Sequence, residues 1–279
     1  MNNMINKIGY MQGRLSPIVD GKIQAFPTLN WQQEFPLAQE LGLSLIEWTI
    51  DYEDFDINPF VTLEGQNKIK ELLKQYNIGV ESLTGDCLMQ KPFFKESKSS
   101  SELKLINLLK KLIESCDLLK VKYIVFPLVD NSQLVSKEQA DRLHAGLLTL
   151  EGLLKDTGVK IIFESDFGPQ KLLNFINDYH SDLYGINYDS GNSAALGYNP
   201  YDEIPLYAHR IDNVHIKDRI YQGTTVPLGS GNTDFEALFS CLRKANYAKN
   251  YILQTARAEE GQHQAALKKY KNFVEGFLK

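Results

Sequence analysis

Short apolar runs alternate with amphipathic stretches along almost the whole chain, at intervals of roughly 30–35 residues, the spacing of successive βα units. The apolar runs are Ile5–Met11, Leu43–Trp48, Ile78–Leu83, Tyr123–Leu128, Lys160–Glu164, Tyr184–Asp189, Asn213–Ile216 and Tyr251–Leu253. Each is too short for a core helix, and most are rich in Ile, Val, Phe or Tyr. Strands buried on both faces of a parallel sheet read this way. Between them, Gly65–Gln75, Glu102–Leu119, Lys137–Lys155 and Phe235–Ala245 carry apolar residues at helical spacing. Five or six such strands would leave an open doubly wound sheet, whereas eight close on themselves. The expected fold is therefore α/β, a (β/α)8 barrel, in a single domain over residues 1–279.

The connections support the same reading. Helix-to-strand links such as Leu41-Gly42, Tyr76-Asn77 and Thr157-Gly158 are short. The strand-to-helix links Gln12–Asn30, Asp51–Thr62, Thr84–Ser100, Ser190–Pro200 and Lys217–Thr233 are long. Long loops on one face build an active site at the C-terminal ends of barrel strands. In the first of them, Asp20-Gly21 between IV and KIQAF predicts a small hairpin with a tight turn.

Composition narrows the function classes. Hydrophobic residues make up 43% of the 279, enough for a sizeable core, yet no run approaches the ~18 apolar residues of a membrane span. The start, MNNMINKIGYMQGR, lacks the basic and long apolar regions of a secretory signal, so a cytoplasmic protein is expected. Three scattered cysteines, Cys87, Cys116 and Cys241, suit small core hydrophobes in a reducing compartment. A net charge of −5 without a basic cluster gives no footprint for nucleic acid or an anionic membrane, which leaves a small molecule as the expected ligand.

The fifth strand ends in Glu164 (IIFESD), the sixth ends in Asp189 (INYDSGN) and the seventh contains His215 (VHIKD). Such groups atop apolar barrel strands are costly to bury unless paired or metal-bound. Two carboxylates and an imidazole form a mixed O/N set suited to Mn²⁺, Zn²⁺, Co²⁺ or Mg²⁺. Lys217 follows His215 at same-face spacing and is a candidate for a substrate oxygen or phosphate, with a solvated loop lysine as the alternative. Arg14 and Arg257, just past the first and last strands, either bind an anionic group bidentately or brace loops. Asp51, Asp86, Glu259 and Glu260 lie in mouth loops as lesser candidates for an acid. The face on which Glu47 points, barrel or helix layer, stays open. GSGNT at Gly229–Thr233 lacks the spacing and the lysine of a phosphate loop, so Asn232 or Thr233 is expected to cap the next helix. Of the aromatics near strand ends, Tyr10, Phe26, Trp31, Trp48 and Phe126, two or three are expected to wall a pocket and the rest to fill core.

The runs GVKIIFES, GINYDSGN, DNVHIKD, VPLGSGNTDFEALFSCLRKANY and NYILQ together resemble the xylose isomerase-like TIM barrels. That family includes sugar-phosphate isomerases and epimerases, keto-sugar 3-epimerases and inosose dehydratase. The resemblance implies one divalent cation held by Glu, Asp, His and Glu at the ends of strands five to eight. By position these are Glu164, Asp189, His215 and, as a departure, Gln254. Gln254 can ligate through its amide oxygen but cannot carry a proton. A second departure is Asn192, where many relatives place a substrate-contacting His. The resemblance thus implies an isomerase, epimerase or related lyase acting on a sugar or sugar phosphate, with Glu164 as base and Gln254 in the second catalytic position. Asn192, Lys217, Arg257 and Arg14 are then substrate contacts, and a homodimer or homotetramer is compatible with the exposed helix faces. The alternative is a sugar-binding or regulatory barrel that kept the pocket and lost catalysis. The endonuclease branch of the superfamily needs more metal ligands than this chain offers, because His144, His180, His209 and His263 read as helical or helix-terminal.

Overall fold

The computed structural model describes residues 7–279. Eight parallel strands close a barrel: β1 (Ile8–Met11), β2 (Leu45–Thr49), β3 (Ser82–Thr84), β4 (Tyr123–Leu128), β5 (Lys160–Ser165), β6 (Tyr184–Asp189), β7 (Ile211–Ile216) and β8 (Asn250–Leu253). Their order round the barrel follows the sequence, with β1 pairing both β2 and β8. β4 and β6 coincide with their apolar runs. β3 is shorter than expected: Ile78–Leu83 contributes only a lone bridge from Gly79 to Leu45 before the ladder starts at Ser82. Of the first run, Ile5 and Asn6 lie outside the described residues.

The strands are almost wholly buried, as the run composition implies. Helices cover the outside, among them Leu63–Tyr76, Ser99–Leu119, Phe235–Lys244 and His263–Phe277. Their inner faces join the outward strand residues in one core; Phe163 of β5, for example, stacks on Tyr184 of β6 with centroids 6.0 Å apart. The amphipathic stretch Lys137–Lys155 is two helices, Lys137–Leu148 and Glu151–Thr157. Thr149 Oγ1 donates back to the Gly146 carbonyl at 2.6 Å, and Leu150 turns into the core. That local bond ends the first helix. His180 lies in the link between Asn177 and β6 rather than in a helix. All three cysteines are buried and unbridged. Among the described residues, no helix is long and apolar enough to cross a membrane.

Close packing under the β2 loop gives a direct test. Gly65 sits in the first turn of Leu63–Tyr76, where its N–H donates to Thr62 Oγ1, the helix cap. A Cβ there would lie 2.2 Å from the Pro59 carbonyl oxygen. Gly65→Ala must push backbone away from backbone, an overpacking cost of about 1–3 kcal/mol. The expected result is a fall in melting temperature of roughly 2–10 °C; an unchanged or raised value would show that the loop yields freely.

The long links lie at the C-terminal ends of the strands, as expected. The first departs from its expected form. Val19–Lys22 does turn tightly, with Asp20 and Gly21 both at positive φ and Lys22 N donating to Val19 O at 2.9 Å. No hairpin ladder flanks it, because the following residues dive into the barrel mouth. There Gln24 meets Asp86 and Gln254, and Phe26 N donates to Asp51 Oδ2 at 2.9 Å while its ring packs on Trp48.

Candidate functional site

At the mouth, side chains from β5, β6 and β7 converge. One ligand atom each from Glu164, Asp189 and His215 lies within 4.8 Å of the others, and all three residues are buried. His215 Nδ1 is 3.1 Å from Glu164 Oε2 and 3.9 Å from Asp189 Oδ2. Its Nε2 lies 2.7 Å from Glu47 Oε1, so β2 reaches the same ring from the far side of the barrel. Glu47 therefore points into the barrel, fully buried, and also accepts from Ser82 Oγ at 2.6 Å and Asn213 Nδ2 at 2.9 Å.

Alternation along the strands explains this polar interior. Asn187 and Asp189 on β6 share a face, as do Asn213 and His215 on β7, with Lys217 two residues beyond. Asn213 Nδ2 donates to Asn187 Oδ1 at 2.8 Å, and Asn187 Nδ2 donates to Glu164 Oε2 at 2.9 Å. The Glu164 carboxylate is gripped at its other oxygen by Asn192 Nδ2, at 2.9 Å. Asn192 thus orients Glu164, and its own Oδ1 accepts from Arg219 at 2.9 Å and Lys217 at 3.3 Å. The helix Ser190–Leu196 holds Asn192 in place, since Asp189 Oδ1 caps it by accepting from Asn192 N at 2.8 Å.

The charges are strongly coupled. Burial alone pushes His215 toward the neutral form, but the flanking carboxylates of Glu47 and Glu164 outweigh it and raise its pKa to about 10. Glu164 is likewise disfavoured as an anion by burial, yet the His215 bond and charge, with Lys217, hold it below the usual carboxylate range. Asp189 goes the other way: burial raises it, only partly offset by Lys217.

Lys217 projects into the centre, its Nζ 3.3 Å from each of Asp189 Oδ2, Asn192 Oδ1 and Gln254 Oε1. It is not a solvated loop lysine. Gln254, just past β8, aims its amide oxygen at this cluster and donates through Nε2 to Gln24 Oε1 at 3.1 Å. Gln24 Nε2 in turn donates to Asp86 Oδ2 at 2.7 Å. Arg14 and Arg257 stand at the rim as loop braces: Arg14 Nε bonds Thr255 O at 2.8 Å, and Arg257 bonds the Gly13 and Ser16 carbonyls. Those contacts brace the loops and leave Arg257 Nε without a partner among the described residues.

Glycine-rich Gly229–Thr233 also resolves differently from expectation. The cap of Phe235–Lys244 is Asp234, which accepts from Ala237 N at 2.9 Å, and neither Asn232 nor Thr233. Asn232 Oδ1 accepts from Tyr221 N instead, and Thr233 Oγ1 donates to Lys217 O. The loop's Gly229, Gly231 and Thr233 N–H groups all point at the carboxylate of Asp218, at 2.8–3.0 Å. An internal anion already fills the nest a phosphate would need. Trp48 and Phe126 prove to be core, wholly buried.

Chemically, the donor set fits a divalent cation. Two carboxylates and one imidazole nitrogen face one another closely, and Glu47 fixes the imidazole from behind as metal-binding histidines require. Sequence reasoning missed Gln24, Asn187, Asn213 and Arg219, and left Glu47 undecided. For Asn187 and Asn213 the two-residue spacing from Asp189 and His215 was the available signal.

Comparison with known proteins agrees with this architecture. A family model described as xylose isomerase-like TIM barrel matches residues 35–273. An inosose dehydratase of Clostridium botulinum is 28% identical over 43% of this chain and 48% of its own length, and an inosose isomerase of Bacillus subtilis is 24% identical over 72% and 80%. The chain spans about half the length of the inosose dehydratases it matches. Among solved structures, the IOLI protein with a bound zinc atom superposes with a TM-score of 0.74 at 19% identity, covering 98% of each chain. The chain belongs to the xylose isomerase-like TIM barrel family.

Proposed function

We propose that the chain is a metal-assisted isomerase, epimerase or related lyase that removes a proton beside the carbonyl of a sugar or sugar-like polyol. The observation that carries this reading is the convergence of Glu164, Asp189 and His215 at the mouth of a barrel of this family. Relatives named inosose dehydratase and inosose isomerase support a small polyhydroxylated ketone as substrate. A divalent cation held by Glu164, Asp189, His215 and the amide oxygen of Gln254 would polarise the carbonyl and stabilise the enediolate.

The chain's own residues do the rest. Glu164, pinned by Asn187 and Asn192 and kept ionised by its cationic neighbours, is the base. Lys217 must release Asp189 Oδ2 and Gln254 Oε1 before those oxygens can ligate, and its freed ammonium then faces the substrate's oxygens. The test is solvent exchange: stripped protein, reloaded with Mn²⁺, is incubated in D₂O with keto-sugars, sugar phosphates and inosose. Deuterium at the carbon beside the carbonyl is expected, and its absence across the whole panel would sink the reading.

Gln254 favours a second reading as well, because its amide is neutral and spends both ends on Lys217 and Gln24. A binding-only protein would be stabilised thermally by such sugars without exchange. Metal affinity measures how far this residue matters. A unit charge at about 4 Å is worth roughly 4 kcal/mol at an effective dielectric near 20. Even after desolvation, Gln254→Glu should tighten Mn²⁺ by about tenfold or more, read by calorimetric titration of stripped protein. Equal affinity in the two proteins would remove Gln254 from the ligand set.

A further inference from the structure

Asp86 is a buried carboxylate at the mouth that neither the cation set nor the base employs. Asp86 opens the short helix Asp86–Gln90 directly after β3 and is 6% exposed. Among the described residues no ion pair holds it; its side-chain partner is the neutral amide of Gln24, at 2.7 Å. Charged groups face it from every side: Asp51 and Glu47 from β2 and its loop, Glu164 from β5, and Arg14 from the first loop. Burial first, and then Asp51, push its pKa up to about 7.

Gln24 shows where Asp86 stands relative to the substrate. Its carboxamide bridges the mouth, donating to Asp86 and accepting from Gln254, which itself contacts Lys217. Asp86 is thus one carboxamide's width from the position where the family resemblance places a second proton-handling Glu. A polyol edge that replaces the Gln24 carboxamide meets Gln254 on one side and Asp86 on the other.

The barrel order then separates two kinds of chemistry. Proton return to the far face of the carbon that Glu164 deprotonates needs a group toward the other side of the barrel, where Gln254 follows β8, three strands from β5. Asp86, two strands from Glu164, flanks that base rather than opposing it. It suits delivery of a proton to an oxygen on the neighbouring carbon.

Resting on the function proposed above, we infer that Asp86 is the proton donor that releases a hydroxyl β to the carbonyl as water, making the chain a dehydratase of polyhydroxylated ketones. Glu164 takes the C–H proton and leaves its electron pair in the enolate. That pair forms the new C=C bond as the β C–O bond breaks, and the departing oxygen takes its second hydrogen from Asp86. The products are water and an enone, with Glu164 protonated and Asp86 ionised. Solvent moves the proton back from one to the other, and no oxidant or reductant is needed.

The experiment follows Mn²⁺-loaded protein with inosose in D₂O, reading deuterium at the α-carbon by NMR and enone by ultraviolet absorbance. Asp86→Asn is expected to lower enone formation by roughly 10²–10⁴-fold while α-exchange persists, and Asp86→Glu to restore part of it. Exchange retained in Asp86→Asn also shows that the variant is folded. Equal loss of both readouts, or enone formed as fast as in the wild type, overturns the assignment. Wild-type protein that exchanges without losing water overturns it while sparing the proton-abstraction reading; wild-type protein that does neither overturns both. A substrate-independent check is the Asp86 carboxyl resonance in ¹³C-aspartate-labelled, metal-stripped protein, assigned by its loss in Asp86→Asn. Titration near pH 7 fits a proton donor, and a midpoint below about 5 rules it out.

Discussion

Glu164→Gln is expected to lower the rate of α-hydrogen exchange by roughly 10²–10⁴-fold, the range that a positioned general base contributes. The substitution is nearly isosteric. Asn192 Nδ2 can still donate to the amide oxygen, but the Nδ2 of Asn187 then meets either that same oxygen or an NH₂ group it cannot bond. It also removes a negative charge from beside His215, so Mn²⁺ should bind more weakly. The two effects separate when exchange is measured at saturating metal: a rate that recovers there would mean Glu164 serves only as a ligand. A rate that stays low assigns it the proton. Comparison with Asp189→Asn, which alters a ligand without touching the base, completes the test.

Glu47→Ala should be the most destabilising single change at the site. Glu47 is fully buried and answers the His215 imidazolium, Ser82 and Asn213 together. Removing one member of a buried charge pair costs about 3–5 kcal/mol, because the partner stays behind uncompensated. The pH dependence has a definite sign in metal-free protein. His215 is raised in the fold to about 10 from an unfolded value near 6.5. Its ion-pair stabilisation is therefore complete below pH ~6.5 and lost as the pH climbs from there toward ~10. The Glu47→Ala penalty, read as the difference in urea midpoint, should be largest near pH 6 and shrink through that window. A penalty independent of pH would mean the pair is held by neutral hydrogen bonds.

Much of this site can be read from the chain because its key residues lie at the ends of apolar runs or one residue before. Glu164, Asp189 and His215 each occupy the last or next-to-last position of a strand whose buried character is plain from composition, so their shared location follows from counting strands. Glu47 resists that reading. In LIEWT the neighbours Ile46 and Trp48 are as apolar as Leu45, and a strand buried on both faces carries no alternation to say which side is the barrel. Only its register against β1 and β3 settles the matter. Gln24 lies deeper still beyond reach, since its meeting with Gln254 joins positions 230 apart through an irregular loop. The first loop also shows a local signal that is right and its extension wrong. Asp20-Gly21 does make the turn, while the pull of Asp51 on Phe26 N and of Asp86 on Gln24 unmakes the ladder. Asp234 displaced Asn232 and Thr233 as the cap for a similar reason, because those two side chains had other partners.

The Asp218 carboxylate, which gathers three backbone N–H groups from Gly229–Thr233, has a consequence for how this protein can be altered. It staples both ends of the intervening segment at the residue next to Lys217, and Gly231 allows this only because a Cβ there would strike Asp218 Oδ1 at 2.3 Å. Between the staples, Arg219 shares Asn192 Oδ1 with the Lys217 ammonium and Gln222 N donates to Ala195 O at 2.8 Å, so the segment is tied to the site through these two bonds. The side chains of Tyr221 and Gln222 at the exposed tip can thus be exchanged to retarget the rim toward bulkier ligands, while their backbone bonds to Asn232 and Ala195 keep the floor of the site in register.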